Sequence, residues 1–279
     1  MFFSMKINFN QFSIVFLGLI YGATPMLAQS YVFAEDEAYY DAYNDGWQSG
    51  DQSGRGFGDW RLFSPEYTKE DEEQYAGFFT ANTESNSDLK QSAREGKALG
   101  IFANGTGFEE TAAFRAFDGP LQSGDVFSMR FEFDGFTNRF ERDSEAISSV
   151  GFALRAEADA VGLSELGKGR AMVFAVIKGL STYQILDADP RFNTRVFIDP
   201  EGVDVGITIH DDFRYDLQII TLSDNVVHHF PDRSFNWEAP KGTFENKGGQ
   251  KIQSFALFNL NGGSSNVYFG AFQVSRLEN

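Results

Sequence analysis

The strongest constraint on this chain is a period-two alternation of phenylalanine and polar residues. In Phe127-Ser-Met-Arg-Phe-Glu-Phe133, Phe127, Met129, Phe131 and Phe133 fall on one side, while Ser128, Arg130 and Glu132 fall on the other. Successive side chains of a strand point to opposite faces, so this pattern demands a strand with one dry and one wet side. Val203-Asp-Val-Gly-Ile-Thr-Ile-His210 repeats it, with Val203, Val205, Ile207 and Ile209 as the inner row. Phe213, Tyr215, Leu217 and Ile219 follow at once, which predicts a hairpin turned at His210-Asp211-Asp212.

Further strands are predicted over 99–103, 112–117, 149–156, 171–177, 182–186, 195–198, 252–260 and 267–275. Turn chemistry separates several of them: Asp118-Gly-Pro120, Asp134-Gly135, Asp199-Pro-Glu-Gly202 and Asn261-Gly-Gly263. The run Ala171-Met-Val-Phe-Ala-Val-Ile177 is apolar on both faces and is predicted mid-sheet. One short helix is predicted within 157–169, around Leu163-Ser-Glu-Leu166, as a loop insertion. Many short strands with almost no helix read as an all-β fold, an antiparallel two-sheet jelly-roll sandwich. The 31 phenylalanines suit a broad core between sheets about 10 Å apart. A membrane barrel of alternating strands would instead need a wet lumen and aromatic girdles, whereas here phenylalanine occupies the inward rows.

Residues 1–28 have the layout of a secretory signal peptide: Lys6, an apolar core over Phe12–Ile20, then small residues ending at Leu27-Ala28. The apolar run is short for a membrane anchor, which takes roughly 20 residues. The expectation is export, with a secreted, periplasmic or cell-surface location and no transmembrane span after cleavage. Residues 29–279 are then expected to form one sandwich domain behind a loose acidic lead-in, Glu35–Asp41. Without residues 1–28 the chain carries 22 basic and 40 acidic residues, a net charge of −18. Such a surface repels nucleic acid and anionic membrane alike. The chain has no cysteine, which excludes thiolate metal sites, cysteine nucleophiles and thiol redox chemistry.

Between Tyr43 and Trp60 lies a run of glycines and aromatics, Tyr43-Asn-Asp-Gly46-Trp47-Gln-Ser-Gly50-Asp-Gln-Ser-Gly54-Arg-Gly56-Phe57-Gly58-Asp59-Trp60. Glycine leaves room for a large ring against the chain, so Trp47 and Trp60 read either as a buried plug or as a sugar-stacking surface. The crowding glycines favour the plug. Asn259, Asn261 and Asn266 offer amides to a ligand, or suit a tight loop. Asp41, Asn44, Asp45 and Asp51 supply oxygens at loop spacing that would suit Ca²⁺, though the EF-hand pattern is absent.

Three blocks carry a family resemblance: Gly46-Trp47 through Trp60-x-Leu62, Ala113-Phe-Arg-Ala-Phe-Asp-Gly119 with Gly124-Asp-Val-Phe-Ser128, and Ala256-Leu-Phe-Asn259-Leu-Asn261 through Phe269. In these the chain resembles an exported bacterial module with a concanavalin A-like (lectin/glucanase-type) sandwich. The resemblance implies a fold and a sugar-rich extracellular setting; such modules generally carry no assigned chemistry.

Catalytic patterns are sparse. The glucanase run Glu-x-Asp-x-x-Glu is absent, and Glu157-Ala-Asp159 lacks the second glutamate. Thr208-Ile-His210 and Tyr268-Phe-Gly-Ala-Phe-Gln273 echo two strands of an alginate-lyase-like site, but no arginine strand accompanies them. His210 with Asp211 and Asp212 reads as an acid-base or metal pair, or more simply as turn residues. His228 and His229 are adjacent in a strand-like run and are expected to diverge. The leading expectation is a non-catalytic protein that binds polysaccharide or cell-surface glycan, or serves adhesion. The alternatives are a cell-surface assembly protein and a carbohydrate-active lyase or hydrolase with an unfamiliar site.

Overall fold

The computed structural model describes residues 30–64, 75–104, 109–133, 135–136, 148–189, 192–211, 213–236, 250–263 and 265–277. The segment read as a signal peptide lies outside them, as does Asp212. The described strands are β1 (Ser30–Asp36), β2 (Arg61–Phe63), β3 (Ala76–Asn82), β4 (Lys97–Ala103), β5 (Glu110–Ala116), β6 (Asp125–Phe133), β7 (Ser149–Arg155), β8 (Arg170–Ile177), β9 (Thr182–Leu186), β10 (Phe192–Phe197), β11 (Val203–Ile209), β12 (Arg214–Thr221), β13 (Val227–Ser234), β14 (Ser254–Leu260) and β15 (Val267–Leu277). They form two antiparallel sheets, the architecture of a jelly-roll sandwich. One runs β13-β12-β11-β6-β15-β4-β3, with β1 also on β15; the other runs β10-β9-β8-β7-β14-β5-β2.

The alternating rows face inward as their period requires. Phe127 meets Phe255 at 5.0 Å between ring centroids, and Phe131 meets Phe174 at 5.8 Å with planes nearly perpendicular. Such edge-to-face pairs add to the gain from burying the rings themselves. Strand β8 is buried on both sides, as its composition predicts. Met172, Phe174 and Val176 join the main core, while Val173 and Ala175 join a smaller cluster on the outer face of the seven-stranded sheet. Over β5, β7, β8 and β14 that outer face is covered. Ala112, Ala153, Ala175, Ala256 and Phe258 are buried there, and Ala160, Leu163 and Leu166 of the 156–169 segment pack over them.

Two expectations change. The helix within 157–169 is only a single 3-10 turn, Leu163–Gly167. Arg155 holds this segment down by donating to the Glu157 and Glu165 carbonyls at 3.3 and 3.2 Å. The lead-in is not loose either: Glu35 and Asp36 belong to β1, which pairs with β15. Strand β15 has β6 along one side and changes partner on the other, from β4 at residues 267–269 to β1 at 272–277. A bulge after Gly270 marks the change, where Ala271 takes φ +54° and its N–H is received by the Glu37 carboxylate at 3.2 Å.

Candidate functional site

The Tyr43–Trp60 run is the plug. Trp60 is 0% exposed and Trp47 only 4%, with ring centroids 5.0 Å apart and planes 80° from parallel. Trp60 packs edge-on against Phe255 of one sheet and Phe272 of the other, so it seals the end of the sandwich. The sugar-stacking alternative for Trp47 and Trp60 is therefore corrected: neither ring has a face open to a ligand.

Charge pins this plug in place. Asp36 and Arg115 form an ion pair whose side chains are both fully buried. Tyr43 also donates its hydroxyl to Asp36, and Trp60 Nε1 donates to that same hydroxyl oxygen at 2.8 Å. Arg115 further donates to the carbonyls of Gly58 (2.8 Å) and Ser53 (3.0 Å), while its guanidinium lies 4.9 Å from the centre of the Trp60 ring. The glycines serve close approach. Gly54 has φ +69°, and a Cβ there would lie 1.8 Å from the Glu35 carbonyl oxygen.

The asparagines are largely structural. Buried Asn259 receives the Gly262 N–H at 2.8 Å and donates to the Ile101 carbonyl at 3.3 Å. Asn261, also buried, receives the Glu109 N–H at 2.8 Å. These two amides shape the loop rather than face a ligand, which corrects the expectation for them. Only half-buried Asn266 keeps a place near a surface, where its Nδ2 reaches Tyr268 Oη at 3.1 Å and Asp88 Oδ2 at 3.3 Å.

The four expected Ca²⁺ ligands do not converge. Asn44 donates to Asp41 at 3.1 Å and receives the Lys97 ammonium at 3.0 Å, so a cation already occupies its oxygen. Asp51 caps a turn by accepting the Gln48 N–H at 2.7 Å, while exposed Asp45 offers its carbonyl to Gln48 Nε2 at 3.2 Å. Among the described residues no group of three His, Asp or Glu side chains is arranged to hold a metal ion.

What the structure does bring together lies on the outer face of the eight-stranded sheet. Strand β3 pairs with β4 so that Phe79 stands opposite Gly100, and Gly77 opposite Phe102. Each ring leans across the glycine of its neighbour. A Cβ on Gly100 would lie 2.4 Å from Phe79 Cζ, and one on Gly77 would lie 3.0 Å from Phe102 Cζ. Tyr75 extends the row from Phe102 at 5.3 Å, and Tyr268 continues it from Phe79 at 6.1 Å. Tyr75 is 64% exposed, Phe79 and Phe102 are half-buried, and Tyr268 is buried. The row thus rises from the sheet to a wet end beside β3, an edge strand. Aromatic cover of sheet glycines is also a way to stabilise an edge, and Phe79 and Phe102 serve it here. Tyr75, mostly in water, does not.

On the opposite half of the same face, three adjacent strands deliver His210, Asp216 and His229. The Asp216 carboxylate takes His210 Nε2 at 2.7 Å and His229 Nε2 at 3.2 Å. Burial pushes the Asp216 carboxyl up, but the Asp232 N–H and the two imidazoles outweigh it and hold it below the usual range. Sequence reading missed this trio and tied His210 to its turn neighbours instead. Asp211 does act as a turn cap, accepting the Phe213 and Arg214 N–H groups at 2.8 Å each. Both imidazoles lie exposed on the sheet. Tyr268, which echoed a lyase strand, has its phenol pushed far up by burial and so is not poised as a base.

No protein-family model matches the chain, and no curated protein matches it. Among solved structures it is similar to a legume lectin-like domain from Entamoeba histolytica, at 8% identity over 78% of this chain and 90% of that one, TM-score 0.44. It is also similar to a conserved carbohydrate esterase from the Shiga toxin-encoding bacteriophage phi24B, at 10% identity over 78% and 90%, TM-score 0.43. A third is the VIP36 exoplasmic/lumenal domain in its metal-free form, at 9% identity over 90% and 92%, TM-score 0.39.

Proposed function

We propose that this protein is an exported, non-catalytic glycan-binding sandwich that engages polysaccharide through the aromatic row of Tyr75, Phe102 and Phe79. One observation carries the reading: a contiguous row of rings along the β3–β4 pair, ending in a tyrosine that is 64% exposed. Sugar rings present apolar C–H faces that stack on aromatic rings, and fixed polar groups nearby take the hydroxyls. Asn266 and Asp88, joined to Tyr268, supply an amide and a carboxylate beside the row. The acidic surface and the signal-like N-terminus support an extracellular setting, where a high net charge keeps a protein soluble.

Retention on immobilised polysaccharides and isothermal titration test this reading, with Tyr75→Ala and Tyr75→Phe as variants. An aromatic contact contributes up to about 1.5 kcal/mol beyond its buried area, so Tyr75→Ala should weaken binding about tenfold, while Tyr75→Phe retains most of it. Binding that Tyr75→Ala leaves untouched refutes the row as the site.

A further inference from the structure

Resting on that reading, we infer that the row takes single, soluble chains of an uncharged polysaccharide, and neither polyanionic glycans nor a flat crystalline face. Two independent observations carry this. The first is geometric. Neighbouring rings are tilted by 50° for Tyr75 and Phe102 and by 56° for Phe79 and Phe102. Rings that share no plane cannot lie together on a flat crystal surface, where one ring at most would make full contact. A chain whose sugars turn about their linkages can present a face to each ring in succession.

The second observation is electrostatic. Strands β3 and β4 and the connection between them carry three cations, and each is already engaged. Arg94 pairs with Glu37, Lys97 Nζ donates to Asn44 Oδ1 at 3.0 Å, and Lys90 Nζ donates to the Pro200 carbonyl at 3.0 Å. Recognition of uronate or sulfate needs a guanidinium or ammonium turned toward the ligand. The carboxylates are better placed than the cations: Asp88 lies beside Tyr268 through Asn266. A polyanion would approach that carboxylate against repulsion that weakens only as salt screens it.

The test uses the full mature chain and its Tyr75→Ala variant in affinity electrophoresis. The probes are soluble mixed-linkage β-glucan, galactomannan, polygalacturonate and alginate, with a pull-down on microcrystalline cellulose beside them. The expected result is retardation by at least one uncharged soluble polymer, lost about tenfold in Tyr75→Ala and little changed between low and high salt. The polyuronates and the crystalline solid should retain nothing. Retention of a polyuronate or of cellulose that Tyr75→Ala abolishes overturns the ligand class and leaves the row standing as a binding surface. No retention by any probe, or retention indifferent to Tyr75→Ala, overturns the binding reading and this inference with it.

Discussion

Replacing Asp36 by Asn should destabilise the fold strongly, and the structure sets the size of the effect. Asp36 and Arg115 are both fully buried, and their charges answer one another across β1 and β5. Asparagine keeps the shape and one acceptor oxygen for Tyr43, but it removes the charge that balances the guanidinium. Leaving one partner of a buried pair uncompensated costs about 3–5 kcal/mol. Arg115 retains the carbonyls of Gly58 and Ser53, which places the expected loss near the lower end. At about 2–4 °C per kcal/mol for a body of this size, Tm should fall by about 6–12 °C. Thermal and urea unfolding followed by tryptophan emission read it directly, because Trp60 stacks on the guanidinium. A double-mutant cycle with Arg115→Leu completes the test: removing both charges should cost clearly less than the sum of the single changes. An Asp36→Asn protein within about 1 kcal/mol of the parent, or strict additivity in the cycle, refutes the argument that this pair pins the plug.

Burial pushes the Glu37 carboxyl up to about 7 against the pull of half-exposed Arg94. The protonated form therefore favours the fold: its contribution is complete below the unfolded value of 4.5 and is lost as pH rises through about 7, at most about 3 kcal/mol. Glu37→Gln should raise Tm relative to the parent above neutrality and match it in acid; equal pH profiles for the two proteins would contradict this. Gly54→Ala places a Cβ 1.8 Å from the Glu35 carbonyl oxygen at φ +69° and should cost more than about 3 kcal/mol, read as loss of soluble folded protein or a large fall in Tm. Gly100→Ala meets the tip of the Phe79 ring instead, a side chain that can give way, so about 1–3 kcal/mol and a displaced ring are expected. In that variant glycan retention should fall further than stability does, and unchanged retention would argue that Phe79 takes no part in binding.

Much of this fold is legible because a half-buried strand writes its environment into its own residues. The rows of β6, β11 and β12 could be read in place, and the apolar run of β8 announced cover on both faces. The edge strands β3 and β13 carry no such signature, since an edge strand is partly in water on both sides: Val227-His-His-Phe-Pro-Asp-Arg-Ser234 even contains a proline. The glycines around Trp47 and Trp60 told of rings held close to backbone, yet whether those rings faced water depended on how β1 and β5 closed over them.

From the sequence alone came the all-β class, the inward rows and the acidic, cysteine-free surface, because alternation and composition are properties of neighbours in the chain. Tertiary structure alone decided which groups meet. His210, Asp216 and His229 converge because β11, β12 and β13 lie side by side, and Phe79 finds its space because β4 presents Gly100 in register. Register and strand order arise from pairing between distant segments, and no local pattern records them.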